Sequence, residues 1–122
     1  MDFTLSSKQK EWLDRVQSFM NKHVRPAVRV YKKQDEEGAR WKVIPILEEL
    51  KSKAKAEGLW NMFMPPSDHE DDEFHGAGLT NLEYALLAEE MGHISFASEV
   101  FNCSAPDTGN MEVFMRYATK EQ

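Results

Sequence analysis

The chain has a single cysteine, Cys103, so no internal disulfide can hold it together. It has no apolar run approaching the length of a membrane span. The N-terminal MDFTLSSKQK shows neither the basic-then-apolar pattern of a signal peptide nor the arginine content of a transit peptide. A cytoplasm, or an organelle matrix in a eukaryote, is therefore the expected location. Positive charge is in deficit: 15 Lys and Arg stand against 21 Asp and Glu, a formal net charge of −6. That balance argues against a nucleic-acid partner, because basic residues supply most phosphate-backbone affinity. It gives no sign of adhesion to anionic membranes either. No segment alternates convincingly at period two, so no strand is expected, and no repeat recurs at a fixed spacing.

What remains is a chain of 122 residues, 41% hydrophobic and 30% charged, enough for one domain with a modest core. Helical periodicity runs through it. Ser6 with Gln9 makes a capping box, followed by Trp12, Val16, Phe19, Met20 and His23 on one face. Pro26 should break or restart that helix. Ala27, Val30, Tyr31 and Gln34 then share a face up to Gly38, a natural stop. Pro45 suits a helix's first turn, with Ile46, Leu47, Leu50 and Ala54 as its stripe and Gly58 as its end. Leu59–Met64 is a dense apolar patch, read as core or as a surface for another domain.

Thr80 and Glu83 form a second capping box. The helix after them, about 81–91, is apolar around most of its circumference and is expected at the centre of the core, capped by Gly92. Ser95 should open a short helix to about Ser104, with Phe96, Val100 and Cys103 in line. Pro106 should stop it, and Asp107 should cap the last complete helix, carrying Met111, Phe114, Met115 and Ala118. Thr119 and Gln122 have capping-box spacing again. The fold class is all-α, about six helices.

Features that could carry chemistry are weak. Asp68–His75 mixes acids with two histidines, but it lacks the glycine and closing Glu of a calcium loop, and adjacent acids usually stay solvated. No metal site is expected there. Glu89-Glu90 beside His93 could be an acid–base pair, but is read as one Glu in solvent and one paired with a cation or with backbone. Cys103 has no base placed beside it by sequence and reads as packing. Asn102-Cys103-Ser104 fits the glycosylation pattern, taken as chance in a chain with no signal peptide. His75-Gly-Ala-Gly78 is too short for a phosphate-binding glycine motif. The residues alone describe a helical domain without a complete active site.

Three stretches carry a resemblance. PILEELKSKAKAEGLWNMFMP resembles the Pro-x-x-x-x-x-Leu-x-x-x-Ala-x-x-x-Gly-Leu segment of the acyl-CoA dehydrogenase family. GLTNLEYALLAEEMGHISFAS is similar to its Gly-Leu to Glu-Glu-Leu-(Gly/Ala) helix. NCSAPDTGNMEVFMRYATKEQ is similar to the next helix and its Glu-Gln-Lys continuation, above all in the branch with long-chain enzymes fused to kinase-like domains. The likeness spans about Phe3 to Gln122. It departs at residues 67–78, where SDHEDDEFHGAG replaces a compact Gly-Gly-x-Gly loop.

The resemblance implies a helical N-terminal domain over residues 1–118, with 119–122 beginning the helix that leads to a β domain not contained in this chain. It implies an enzyme that dehydrogenates fatty acyl-CoA at the α,β positions: a glutamate removes the α-proton while the β-hydride passes to FAD. FAD and the base are expected beyond Gln122, so no catalytic or cofactor-binding residue is expected here, and no activity or bound FAD in this chain alone. An electron-acceptor flavoprotein and a homo-oligomer, dimer or tetramer, are the implied partners. The acyl tail is expected beside the Ser95–Ser104 helix, which makes Phe96, Glu99, Val100 and Cys103 the candidate pocket residues. Leu59–Met64 or Ser95–Ser104 is expected to be left exposed as a contact surface. The competing reading is a stand-alone helical interaction module.

Overall fold

A computed structural model describes residues 4–66, 76–119 and 121–122, and among these there is no strand. Six α-helical segments follow one another: α1 (Ser7–Phe19), α2 (Arg25–Glu37), α3 (Pro45–Ala56), α4 (Asn81–Gly92), α5 (Ala97–Val100) and α6 (Asp107–Tyr117). α4 packs along α1, α3 lies against α2 and α5, and α5 also touches α4.

The capping boxes at Ser6 and Thr80 form as the sequence indicates. The Ser6 hydroxyl accepts from the Gln9 N–H while the Gln9 side chain accepts from the Ser6 N–H. Thr80 and Glu83 do the same at α4. The two helix starts are then joined by Lys8, whose ammonium donates to the Gly78 carbonyl at 2.9 Å and to Glu83 at 3.0 Å.

Pro26 does not end the first helix. α1 and α2 run together through one π-helical turn, Met20–Val24, in which the Arg25 N–H reaches back to the Met20 carbonyl. Proline cannot donate to the carbonyl four residues earlier and its ring clashes with it. The wider turn just before Pro26 relieves that conflict while the chain stays helical. It also leaves His23 beside Phe19, ring centroids 4.9 Å apart, with its Nε2 3.5 Å from Glu57.

α3 begins at Ile44 without a side-chain cap of its own. Its free Ile46 N–H is instead satisfied by the Gln34 side chain at 2.9 Å, so α2 caps α3 across the fold. α3 ends where Gly58 takes φ +69. The Gly58 N–H bonds to Lys55 and the Leu59 N–H to Ala54, the Schellman pair, and Leu59 is turned into the core.

The core centres on Phe19 and Phe101, which meet edge-on with centroids 5.2 Å apart. Met20, Leu50, Leu59, Met62, Leu87, Met91 and Val100 are fully buried around them. The 59–64 segment is tied to the turn after α5: the Asn61 N–H donates to the Phe101 carbonyl, and the Asn102 amide donates to the Asn61 side chain at 2.7 Å. Both asparagines sit at positive φ, 56 and 55, a region Asn tolerates better than most residues.

Four expectations need correction. Leu59–Met64 and the Phe96–Cys103 segment are not the exposed surface: Leu59, Met62, Met64, Phe96, Ala97, Val100, Phe101 and Cys103 are all buried. α4 is not central. It buries only Leu87 and Met91, and Leu82 is 75% exposed, because α1 and α5 leave that part of its surface uncovered. The Ser95–Ser104 helix shrinks to the four residues of α5, without a side-chain cap, since two tight turns flank it. Asp107 is the first residue of α6 and not its cap; Pro106 holds the cap position, with no side chain able to donate or accept there. α6 itself buries none of its residues.

Candidate functional site

A groove of about 300 Å³ runs between α4 and the α5 region. Tyr84, Ala88, Met91 and Gly92 of α4 form one side. Ile94, Ser95, Ser98 and Cys103 form the other. The lining follows from local structure. α4 turns Tyr84, Ala88 and Met91 to one face at helical spacing, and the brevity of α5 lets the chain fold back so that Cys103 returns to the same wall. Apart from two serine hydroxyls, the Tyr84 hydroxyl and the thiol, the lining is apolar, which suits a hydrocarbon ligand better than a charged one.

The thiol at the end of this groove is held quiet. Burial pushes the Cys103 thiol up, against smaller lowering effects from the Phe63 backbone, the Tyr84 hydroxyl and the Met62 backbone. The thiol donates to the Phe101 carbonyl at 3.4 Å. Tyr84, whose own hydroxyl is also pushed up by burial, is its side-chain partner. A buried thiol with a raised pKa is a poor nucleophile near neutrality, which fits a packing role for Cys103.

Of the four residues singled out in the sequence, Cys103 alone borders the groove. Phe96 is buried and stacks on Tyr31 with ring centroids 4.1 Å apart. Val100 is fully buried in the core. Glu99 is exposed and faces α3, where it and Glu48 each lie 2.9 Å from the Lys51 ammonium. Burial alone would pull Lys51 down, but the hydrogen bonds and charge of these two carboxylates outweigh it, and its pKa is raised. Tyr84, Ala88, Met91 and Ile94 line the groove and were not among the candidates. Tyr84, Ala88 and Met91 stood in the sequence as one side of an apolar helix, which marks core and pocket alike.

Glu89 and Glu90 separate as read. Glu89 is exposed, while Glu90 accepts from Arg25 at 2.7 Å and lies 3.5 Å from the Gln17 amide. Among the described residues no group of three or more His, Cys, Asp or Glu side chains converges to hold a metal. The acidic run Asp68–His75 lies outside the described residues.

The described residues do not fit a flavin. No buried side-chain nitrogen or oxygen lacks a partner, and the groove supplies no glycine-rich turn at a helix start to take phosphates.

Comparison with known proteins places the domain. The sequence profile of the "Acyl-CoA dehydrogenase, N-terminal domain" matches residues 6–122. The chain is 47% identical over 118 residues to acyl-CoA dehydrogenase family member 10 of Mus musculus, covering 97% of this chain and 11% of that protein. It is 49% identical over 124 residues to family member 11 of Gallus gallus, covering 98% of this chain and 15% of that one. A solved structure from Mycobacterium abscessus, described as an acyl-CoA dehydrogenase, superposes with a TM-score of 0.81 at 46% identity, over 98% of this chain and 30% of its own. The chain belongs to the acyl-CoA dehydrogenase family and corresponds to its N-terminal helical domain. It spans less than a third of the length of each of these relatives.

Proposed function

We propose that this chain is the acyl-tail-binding portion of a flavin-dependent enzyme that dehydrogenates fatty acyl-CoA, and that it is inactive alone. The groove between α4 and the α5 region carries the reading: it is apolar and lies beside the segment where the family resemblance implies the tail. Tyr84, Ala88, Met91, Ile94 and Cys103 form its wall. Phe96 and Val100 back that wall from the core, and the Lys51–Glu99 pair anchors α5 to α3 from the other side.

The contribution to catalysis is positional. Burying the tail removes hydrocarbon from water at about 0.8 kcal/mol per methylene and so fixes where the thioester end stands. FAD supplies the hydride acceptor in the complete enzyme, and neither it nor the base is assigned to residues of this chain. An electron-acceptor flavoprotein as partner, and assembly as a dimer or tetramer, belong to the same proposal. So does the role of residues 119–122 as the start of the connection to a β domain. There the Thr119 N–H is already bonded by the Gln122 side chain at 2.9 Å.

The test is the substrate profile of a full-length enzyme carrying Ala88→Phe. The ring would fill part of the groove, so kcat/KM should fall for long-chain acyl thioesters while short ones are spared. An unchanged profile in a folded, flavin-loaded enzyme would remove the groove from the tail site.

A further inference from the structure

The chain from 95 to 100 carries two rows of side chains, and the groove uses only one of them. Ser95 and Ser98, three residues apart, line the groove. The residues directly after each of them, Phe96 and Glu99, are held from behind by other helices. Phe96 stacks on Tyr31 of α2, ring centroids 4.1 Å apart and planes 17° apart. Glu99 lies 2.9 Å from the Lys51 ammonium of α3, and Glu48 lies 2.9 Å from the same ammonium. Burial pulls the Lys51 pKa down, and the two carboxylates more than reverse that pull, so the pair is charged at neutral pH.

α5 has little of its own to fix how it is turned. It is four residues long and has no side-chain cap. Ala97, Val100 and Phe101 are buried, which fixes how deep the segment sits. Burial is non-directional, however, and leaves rotation about the segment's own axis open. A ring stack and a charge-assisted hydrogen bond have defined geometry. Taking the groove as the acyl-tail site, we propose that Glu99 with Lys51, and Tyr31 with Phe96, are positioning pairs: they grip α5 from α2 and α3 and so set the width of the groove between Ser95, Ser98 and α4. None of the four lines the groove, so they act on the tail only through α5. Width matters because a radial gap of about 0.5–1 Å forfeits about a quarter to a half of each van der Waals contact. Only a tail long enough to enter the groove would feel that loss.

The experiment is kcat/KM against a series of acyl-CoA lengths in the full-length, flavin-loaded enzyme, with urea denaturation of each variant. Glu99→Lys sets like charge against Lys51 and should lower the ratio of long to short substrates about fivefold, the upper end for a partly exposed ion pair. Glu99→Gln keeps the shape, removes only the charge, and should move the ratio the same way about twofold. Tyr31→Leu should lower it as well. The exchange Lys51→Glu with Glu99→Lys restores an ion pair and should recover the ratio. A purely structural role would lower the folded fraction, which scales all chain lengths equally and leaves the ratio alone. The inference is overturned if the Glu99 variants leave the ratio unchanged, or if the charge exchange fails to recover it. Ala88→Phe, measured in the same series, separates this from the reading of the groove itself. If Ala88→Phe shifts the ratio and the Glu99 variants do not, positioning fails and the tail site stands. If Ala88→Phe leaves the ratio unchanged, the tail lies elsewhere and both readings fall.

Discussion

Cys103 and Val100 lie three residues apart, and the structure gives them opposite consequences on enlargement. Cys103 borders the groove, whereas Val100 is sealed in the core. Cys103→Leu adds two heavy atoms to the wall of a groove holding about 300 Å³. If they displace two methylenes of a bound tail, about 1.6 kcal/mol of transfer energy is lost for substrates long enough to reach them. That is about 15-fold in kcat/KM for long tails relative to short ones, inside the range by which one or two methylenes discriminate. Val100→Leu has no groove to enter. It should cost about 1–3 kcal/mol of stability through overpacking and leave the chain-length ratio alone. The assay is kcat/KM against a series of acyl-CoA lengths in the full-length enzyme, with a urea denaturation of each variant. A ratio between long and short substrates does not depend on how much of the enzyme is folded. The reasoning fails if Cys103→Leu leaves that ratio unchanged, or if Val100→Leu changes it as much.

Gly58→Ala should destabilise the domain by about 1–2 kcal/mol in urea, all from the left-handed φ of +69, because the added Cβ would meet only the Arg15 guanidinium at an ordinary 3.5 Å. Arg25→Met strips the cation from Glu90, whose side chain is only 11% exposed, and should cost about 1–3 kcal/mol at neutral pH, with Arg25→Lys recovering part of it. Glu83 is lowered from its ordinary 4.5 first by the Thr80 N–H and then by Lys8. Its stabilising effect is therefore complete above about pH 4.5 and fades as pH falls through the lowered value, so Glu83→Gln should flatten the acid limb of a thermal-stability profile in that window. The isolated chain should show no acyl-CoA dehydrogenation and no flavin absorbance; stoichiometric flavin on the purified 122-residue chain would contradict the division of labour proposed above.

Where helices begin and end was written locally. Ser6 with Gln9, Thr80 with Glu83 and Gly58 act through bonds to backbone groups within a few residues, and Pro45 through its fixed φ, so their effect survives any tertiary arrangement. The same is true of the single cysteine, the absence of a spanning segment and the ordered motifs that mark the family. Other outcomes needed the whole fold. Pro26 was expected to break or restart a helix; α2 does restart there, with Pro26 in its first turn, but a π turn, with Val24 and Ala27 buried on either side of the proline, joins it to α1 without a break. The Leu59–Met64 patch could be core or contact surface; it packs into the common core, with Asn61 and Asn102 bonded beneath the turn after α5. α4 carried apolar residues on nearly every side, and periodicity cannot say which side finds a neighbour. Its contact with α1 chose Leu87 and Met91 for burial, left Leu82 in solvent, and left Tyr84 and Ala88 facing a groove. Core and pocket use the same side chains, so their separation depends on distances between elements remote in sequence, which no local pattern encodes.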